Sequence, residues 1–167
     1  PPRSAMGVIL QIDQLLRDIK PTPKTSIAKQ LHDIALMMKR RSFVILISDL
    51  FSDVDDILAG LDHLRHDGHN VVVLHTLDPY EIEFPFKGTW QFEGLEGEEP
   101  LTTQPERIRD DYVASFGEYM EALKAGCVAS HVDYTTVDTS RPLDTVLSEF
   151  FHQRESMLNG GSAAARP

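Results

Sequence analysis

The stretch Phe43-Val44-Ile45-Leu46-Ile47 constrains this chain most, because an apolar residue stands at every position rather than at every second one. A strand with one wet face alternates, whereas a strand apolar throughout is covered on both faces, as in parallel sheets. The run falls far short of the roughly 18–20 apolar residues that span a bilayer, and Ser48 and Asp49 close it. It therefore reads as a buried strand of a soluble α/β domain. A second run, Val71-Val72-Val73-Leu74, follows a helical pattern carried by Val54, Ile57, Leu58, Leu61 and Leu64. Strand, helix and strand in that order predict a parallel crossover unit.

The rest of the chain fits the same class. Ile9, Ile12, Leu16 and Ile19 recur at helical spacing and Pro21 stops that helix. Thr25 or Ser26 can cap a second helix, whose face is Ile27, Leu31, Ile34, Ala35 and Met38. Asp53 caps the crossover helix and Gly68 closes it. Residues 79–105 interleave Ile82, Phe84, Phe86, Trp90 and Phe92 with polar residues, and predict short antiparallel strands or a hairpin with an acidic turn over Glu93–Glu99. A long helix over about Glu106–Ala129 turns Tyr112, Phe116, Tyr119 and Leu123 inward. A third strand covers His131–Val137, and a last helix runs from Pro142 to about Gln153. The expected layout is one domain over residues 1–154, with a hairpin-like insertion at about 79–105 and a flexible tail at 155–167. The fold class is α/β, a three-layer sandwich around a mainly parallel sheet. Three strands are few for 167 residues, and an opening Pro1-Pro2 without an initiating Met suggests a piece of something longer.

Charge and cysteine content narrow the partners. A net charge of −10 opposes binding to nucleic acid and to anionic membranes. The one basic cluster, Lys39-Arg40-Arg41, sits near the end of a helix, where it complements the helix dipole. A lone Cys127 allows no intrachain disulfide, so a reducing, cytoplasmic setting is expected, with the thiol packed in the core.

In open α/β sheets, sites gather at the carboxyl ends of the strands. Three such ends carry acids here: Asp49, Asp78, and Asp138 followed by Thr139 and Ser140. Any of these could be a helix cap; Asp49, leaving the most apolar strand, is the most site-like. A phosphoacceptor of the receiver type is disfavoured, since no early acidic pair and no late strand-end Lys accompany it. His63, His66 and His69 lie three apart but lack dependable zinc spacing, and read as exposed polar residues. His75 reads as a hydrogen-bonded structural residue. Glu81 and Glu83, on one face of an expected strand, read as solvated. No Gly-rich phosphate loop, H-E-x-x-H or G-x-S-x-G occurs.

Three blocks carry a resemblance: Arg41 through Phe51; Leu64 through His75 running into Leu77-Asp78-Pro79; and Val132-Asp133-Tyr134 with Asp138-Thr139. Over about residues 7–154 the chain resembles the carboxyl-terminal half of a bacterial domain-of-unknown-function family with a von Willebrand factor A-like, Rossmann-like fold. Genes of that family commonly neighbour those of MoxR-type AAA+ ATPases. The resemblance implies a metal-ion-dependent adhesion site in which Asp49 is the ligand after the fourth strand and Thr25 the loop ligand. No Asp-x-Ser-x-Ser motif occurs in these residues, and the fold's first strands would lie before Pro1. Mg²⁺ requires a near-octahedral set of oxygens, so the site is expected to be incomplete here and to hold Mg²⁺ only in a longer protein. The implied function is a non-enzymatic interaction module partnering a MoxR-type ATPase in complex assembly or maturation. The alternatives are a metal-dependent phosphoryl-transfer or hydrolytic enzyme using Asp49, Asp78 and Asp138, or acids that only cap helices. Without its first strand, the 43–47 strand would be an open edge, inviting a homo-oligomer or cover from the N-terminal helix.

Overall fold

The computed structural model describes residues 6–19, 26–94 and 99–163. Two helices lead, α1 (Met6–Asp18) and α2 (Ile27–Met37). The chain continues through β1 (Phe43–Ser48), α3 (Val54–His66), β2 (Asn70–Leu77) and the short α4 (Pro79–Glu83). A ribbon of β3 (Trp90–Phe92) and β4 (Leu101–Thr103) follows, then a 3₁₀ turn at Pro105–Arg107, α5 (Arg109–Ala129), β5 (Asp133–Asp138) and α6 (Leu143–Ala163). The main sheet has the order β1-β2-β5 and is parallel throughout; β3 and β4 pair antiparallel as a separate ribbon. The result is an α/β, Rossmann-like arrangement with helices on both faces of the parallel sheet.

Alternate residues of β2 build those two faces. Val71 and Val73 enter the larger core with Leu31, Ile57, Leu61, Leu64, Leu123 and Cys127, so α2, α3 and α5 cover one side. Val72 and Leu74 point the other way, to Val137 of β5 and to Val146 and Phe150 of α6. Burial on both sides is why this strand reads apolar without alternation.

The same helix-ending device delivers both β2 and β5. Gly68, at φ 84°, donates its N–H to Arg65 O, and His69 donates to Leu64 O. After α5, His131 at φ 55° donates to Val128 O and Val132 to Cys127 O. Each is a Schellman motif, which satisfies the last helical carbonyls and turns the next residue inward. That inward turn buries His69 to 1% exposure, where the sequence pattern suggests an exposed residue. Its Nδ1 accepts the Ser42 N–H at 3.2 Å.

Several expectations need correction. β1 is the edge strand, and its side chains alternate between exposed and half-buried, whereas β2 is the buried strand. α6 lies over β2 and β5 and stops short of β1, apart from Arg154, whose guanidinium stands 4.6 Å from the Phe43 ring centre. The N-terminal helix does not cover the edge strand either: Ile9, Ile12, Leu16 and Ile19 of that segment are themselves exposed. Residues 79–83 form a helix because Asp78 and Glu81 make a reciprocal capping box. α6 runs on to Ala163 rather than ending near Gln153, so residues 155–163 are helical instead of a flexible tail. Once Val146 and Phe150 anchor the helix, each further residue adds a hydrogen bond at little cost.

The α3–α5 contact depends on a missing methyl group. A Cβ on Gly126 would stand 2.2 Å from Leu58 Cδ1 and 2.9 Å from its Cγ, whereas a Cβ on Gly117 meets nothing within 4 Å. Gly126→Ala is therefore expected to lose about 1–3 kcal/mol through overpacking. Gly117→Ala should gain about 0.5–1 kcal/mol from helix propensity. Urea unfolding of the two variants checks the opposite signs.

Candidate functional site

The carboxyl end of β1 is held by an unusual turn. Leu50 adopts φ 53°, a left-handed conformation uncommon for a bulky residue, and its side chain is wholly buried in the larger core. Burying the leucine offsets the backbone cost, which is of the order of 1–3 kcal/mol. The inward turn sends the side chains on either side outward, Asp49 and the 94%-exposed Phe51. Ser48 completes the lock: its hydroxyl accepts the Leu50 N–H at 3.0 Å and donates to Asp49 Oδ1 at 3.3 Å.

Two side chains from below and beside fix the turn. The Tyr119 hydroxyl donates to the Leu50 carbonyl and also reaches Ser52 O at 3.1 Å. His75, fully buried on β2, places Nε2 2.8 Å from the Asp49 carbonyl and Nδ1 2.7 Å from the Tyr134 hydroxyl. A carbonyl can only accept, so Nε2 carries the proton and the neutral ring takes the Tyr134 O–H at Nδ1. Burial holds the His75 pKa below its ordinary value, against the opposing pull of the Asp49 carbonyl and of the Asp49 and Glu81 charges. The structural role that its strand-end position suggests for His75 therefore stands.

Beside this turn lies a cavity of about 350 Å³ lined by Asp49, Phe51, Ser52, Leu77, Glu81, Tyr112, Phe116 and Tyr119. Three of its residues form an aromatic stripe on α5. The Tyr112 and Phe116 rings are 5.9 Å apart and 6° from parallel, and Phe116 and Tyr119 are 6.4 Å apart at 19°. The acids make the space electronegative. Burial raises the Tyr112 pKa and the Glu81 charge raises it further; burial likewise raises that of Tyr119, reinforced by Asp49 and Asp53 and opposed by the Ser52 hydrogen bond.

Of the three strand-end acids, only Asp49 faces this cavity. Asp78 spends its carboxylate on the Tyr80 N–H at 2.8 Å as the cap of α4. Asp138 takes the Ser140 N–H and hydroxyl at 2.9 and 2.6 Å, bonds that hold its carboxyl below the ordinary range. Asp78 thus acts as a cap and Asp138 closes a local turn, and neither lines the cavity with Asp49. Asp53 caps α3, as its position suggests. The second carboxylate at the cavity is Glu81, exposed as expected but on a helix rather than on a strand face. An i, i+4, i+7 spacing of Tyr112, Phe116 and Tyr119 was the available signal for the wall, and in sequence it is indistinguishable from a core-facing stripe.

Thr25 lies outside the described residues. Among those described, no group of three or more His, Cys, Asp or Glu side chains could hold a metal ion. Of the two expected ligands only Asp49 is described, its Oδ1 accepting from Ser48 and the Phe51 N–H, and one carboxylate does not supply the near-octahedral set of oxygens that Mg²⁺ takes. His63 meets His32, with 3.0 Å between Nδ1 atoms, rather than the other two histidines of its set. Cys127 is buried in apolar surroundings that push its thiol up to about 11, consistent with a packing role.

The His75 arrangement has a definite pH signature. Its folded pKa lies below the ordinary 6.5, so as pH falls through about 6.5 the unfolded chain takes up this proton first. Its contribution to stability is complete above that pH and is lost on the way down to the folded pKa. Urea unfolding between about pH 7.5 and pH 5 is expected to show falling stability, with a shallower slope in His75→Gln.

Among the described residues, no helix is long and apolar enough to cross a membrane. Neither a curated protein nor a solved structure matches the chain. The family described as "Protein of unknown function DUF58" matches residues 1–121, the stretch that contains β1, its turn and the residues lining the cavity, and the chain belongs to that family.

Proposed function

We propose that this chain is a non-enzymatic protein-interaction module of the von Willebrand A-like class. Its partner is a MoxR-type AAA+ ATPase, and its role is complex assembly or maturation in the cytoplasm. The observation that carries the reading is the open apolar face of β1. Phe43, Ile45 and Ile47 are 51%, 51% and 65% exposed, and they continue into Leu143 and Phe151 of α6 at 61% and 59%. Together with the outward face of β2 these residues border a groove of about 570 Å³. Contiguous apolar surface of this kind is a surface that another polypeptide covers, whether a partner or the first strand that the resemblance implies. The strand's unpaired edge adds backbone donors and acceptors to the same surface. The resemblance to a bacterial domain-of-unknown-function family with a von Willebrand A-like fold, whose genes commonly neighbour those of MoxR-type ATPases, supplies the partner class.

Metal-assisted docking at Asp49 would require ligands from outside the described residues, and the apolar groove does not depend on it. No observation gathers a nucleophile, a base and an orienting group at one place, so the hydrolytic alternative gains no support.

Titration calorimetry with a purified MoxR-type ATPase from the same organism is expected to show saturable binding. Ile45→Glu combined with Ile47→Glu should weaken it at least about tenfold, since charges replace an apolar anchor. Wild-type chain that fails to bind, or a double variant that binds equally well, would overturn the proposal. Light scattering on the same samples reads whether β1 also pairs two copies of the chain.

A further inference from the structure

We infer that the cavity beside the β1 turn receives a basic side chain, arginine in preference to lysine, presented by a protein partner. The inference rests on the reading of the chain as an interaction module. It adds the chemistry of a second contact point, on the α5 side of the sheet and away from the α6-lined groove.

Three independent features converge. The wall is aromatic, with Phe51, Tyr112, Phe116 and Tyr119 supplying four rings, the last three as one nearly parallel stripe. The faces of such rings attract cations, and planar guanidinium groups also stack on them. Two carboxylates, Asp49 and Glu81, stand in the same lining, and no described Lys or Arg does. Each carboxylate uses one oxygen locally, Asp49 Oδ1 on the Phe51 N–H and Glu81 Oε2 on the Asp78 N–H. The other oxygen of each accepts no hydrogen bond from the described residues, so both remain available to a forked donor. Finally, about 350 Å³ lies at the small end of the roughly 300–1,000 Å³ typical of ligand pockets. That suits one long side chain rather than a helix or a strand.

The turn also keeps the site in shape before anything binds. Leu50 anchored in the core, with Tyr119 and His75 on the flanking carbonyls, fixes where Asp49 and Phe51 project. A receptor built this way loses little freedom on capturing its ligand.

A capped pentapeptide with one arginine between glycines is the probe, with its lysine and citrulline counterparts as comparisons. Citrulline keeps the arginine shape and removes the charge. Binding is followed through backbone amide resonances of the whole chain. The expected result is saturable shifts confined to residues 49–52, 77–81 and 112–119, strongest for arginine and absent for citrulline. Asp49→Asn and Glu81→Gln preserve the local hydrogen bonds, and each should weaken binding at least about fivefold; Phe116→Leu should weaken it too. Equal binding of citrulline and arginine by the wild-type chain would overturn the inference without any variant. So would unchanged affinity in the double variant that combines Asp49→Asn with Glu81→Gln. The groove variant carrying glutamate at 45 and 47 is expected to bind the peptide normally. A wild-type chain that binds the peptide but not the ATPase counts against the partner alone, and one that binds the ATPase but not the peptide counts against the cavity alone.

Discussion

Everything at the carboxyl edge of the sheet depends on one residue held in a conformation it does not favour. Leu50 turns left-handed so that its side chain can enter the core, and it is completely buried there. The cost of that backbone is offset by apolar burial worth about 1.5–3 kcal/mol for a leucine, and by the phenol of Tyr119 on its carbonyl. Because Leu50 goes in, Asp49 and Phe51 must go out. A polar residue at position 50 would lose the anchor, and the two outward side chains would lose their fixed direction with it.

A second consequence of the sheet's small size is its asymmetry. On one side α2, α3 and α5 form a continuous cover over β2 and the inner residues of β1. On the other, α6 reaches β2 and β5 and leaves β1 with Phe43, Ile45 and Ile47 in solvent. With the strand order β1-β2-β5, the most apolar strand of the sequence lies at the edge and the second most apolar at the centre. Strand composition thus records an environment that the described residues supply only in part for β1.

Periodicity and punctuation were legible in the sequence, and contacts across it were not. The crossover unit, the Asp53 cap, the Gly68 terminus and the β3–β4 ribbon follow from local chemistry, and each appears where its residues suggest. Residues 79–83 mislead because interleaved aromatic and polar residues resemble a strand, while the capping box between Asp78 and Glu81 decides for a helix. His69 looks like a solvated group in sequence because its burial comes from the turn that ends α3 and from Ser42, distant in the chain. Asp49 was legible as site-like from its position after a strand. Its companions were not, because Glu81 and the α5 rings reach it only through the tertiary fold.

Tyr112 belongs to two structures at once. Its ring stacks on Phe84 with centres 4.3 Å apart, and Phe84 packs in turn against Phe86 and Phe92 of the ribbon segment. The same ring opens the stripe that lines the cavity. The ribbon segment's aromatic bulk thus backs, through Phe84, a ring of the cavity wall. Loops tolerate sequence change better than the elements they connect, so relatives can alter the fit of the cavity by changing residues that never touch what it holds.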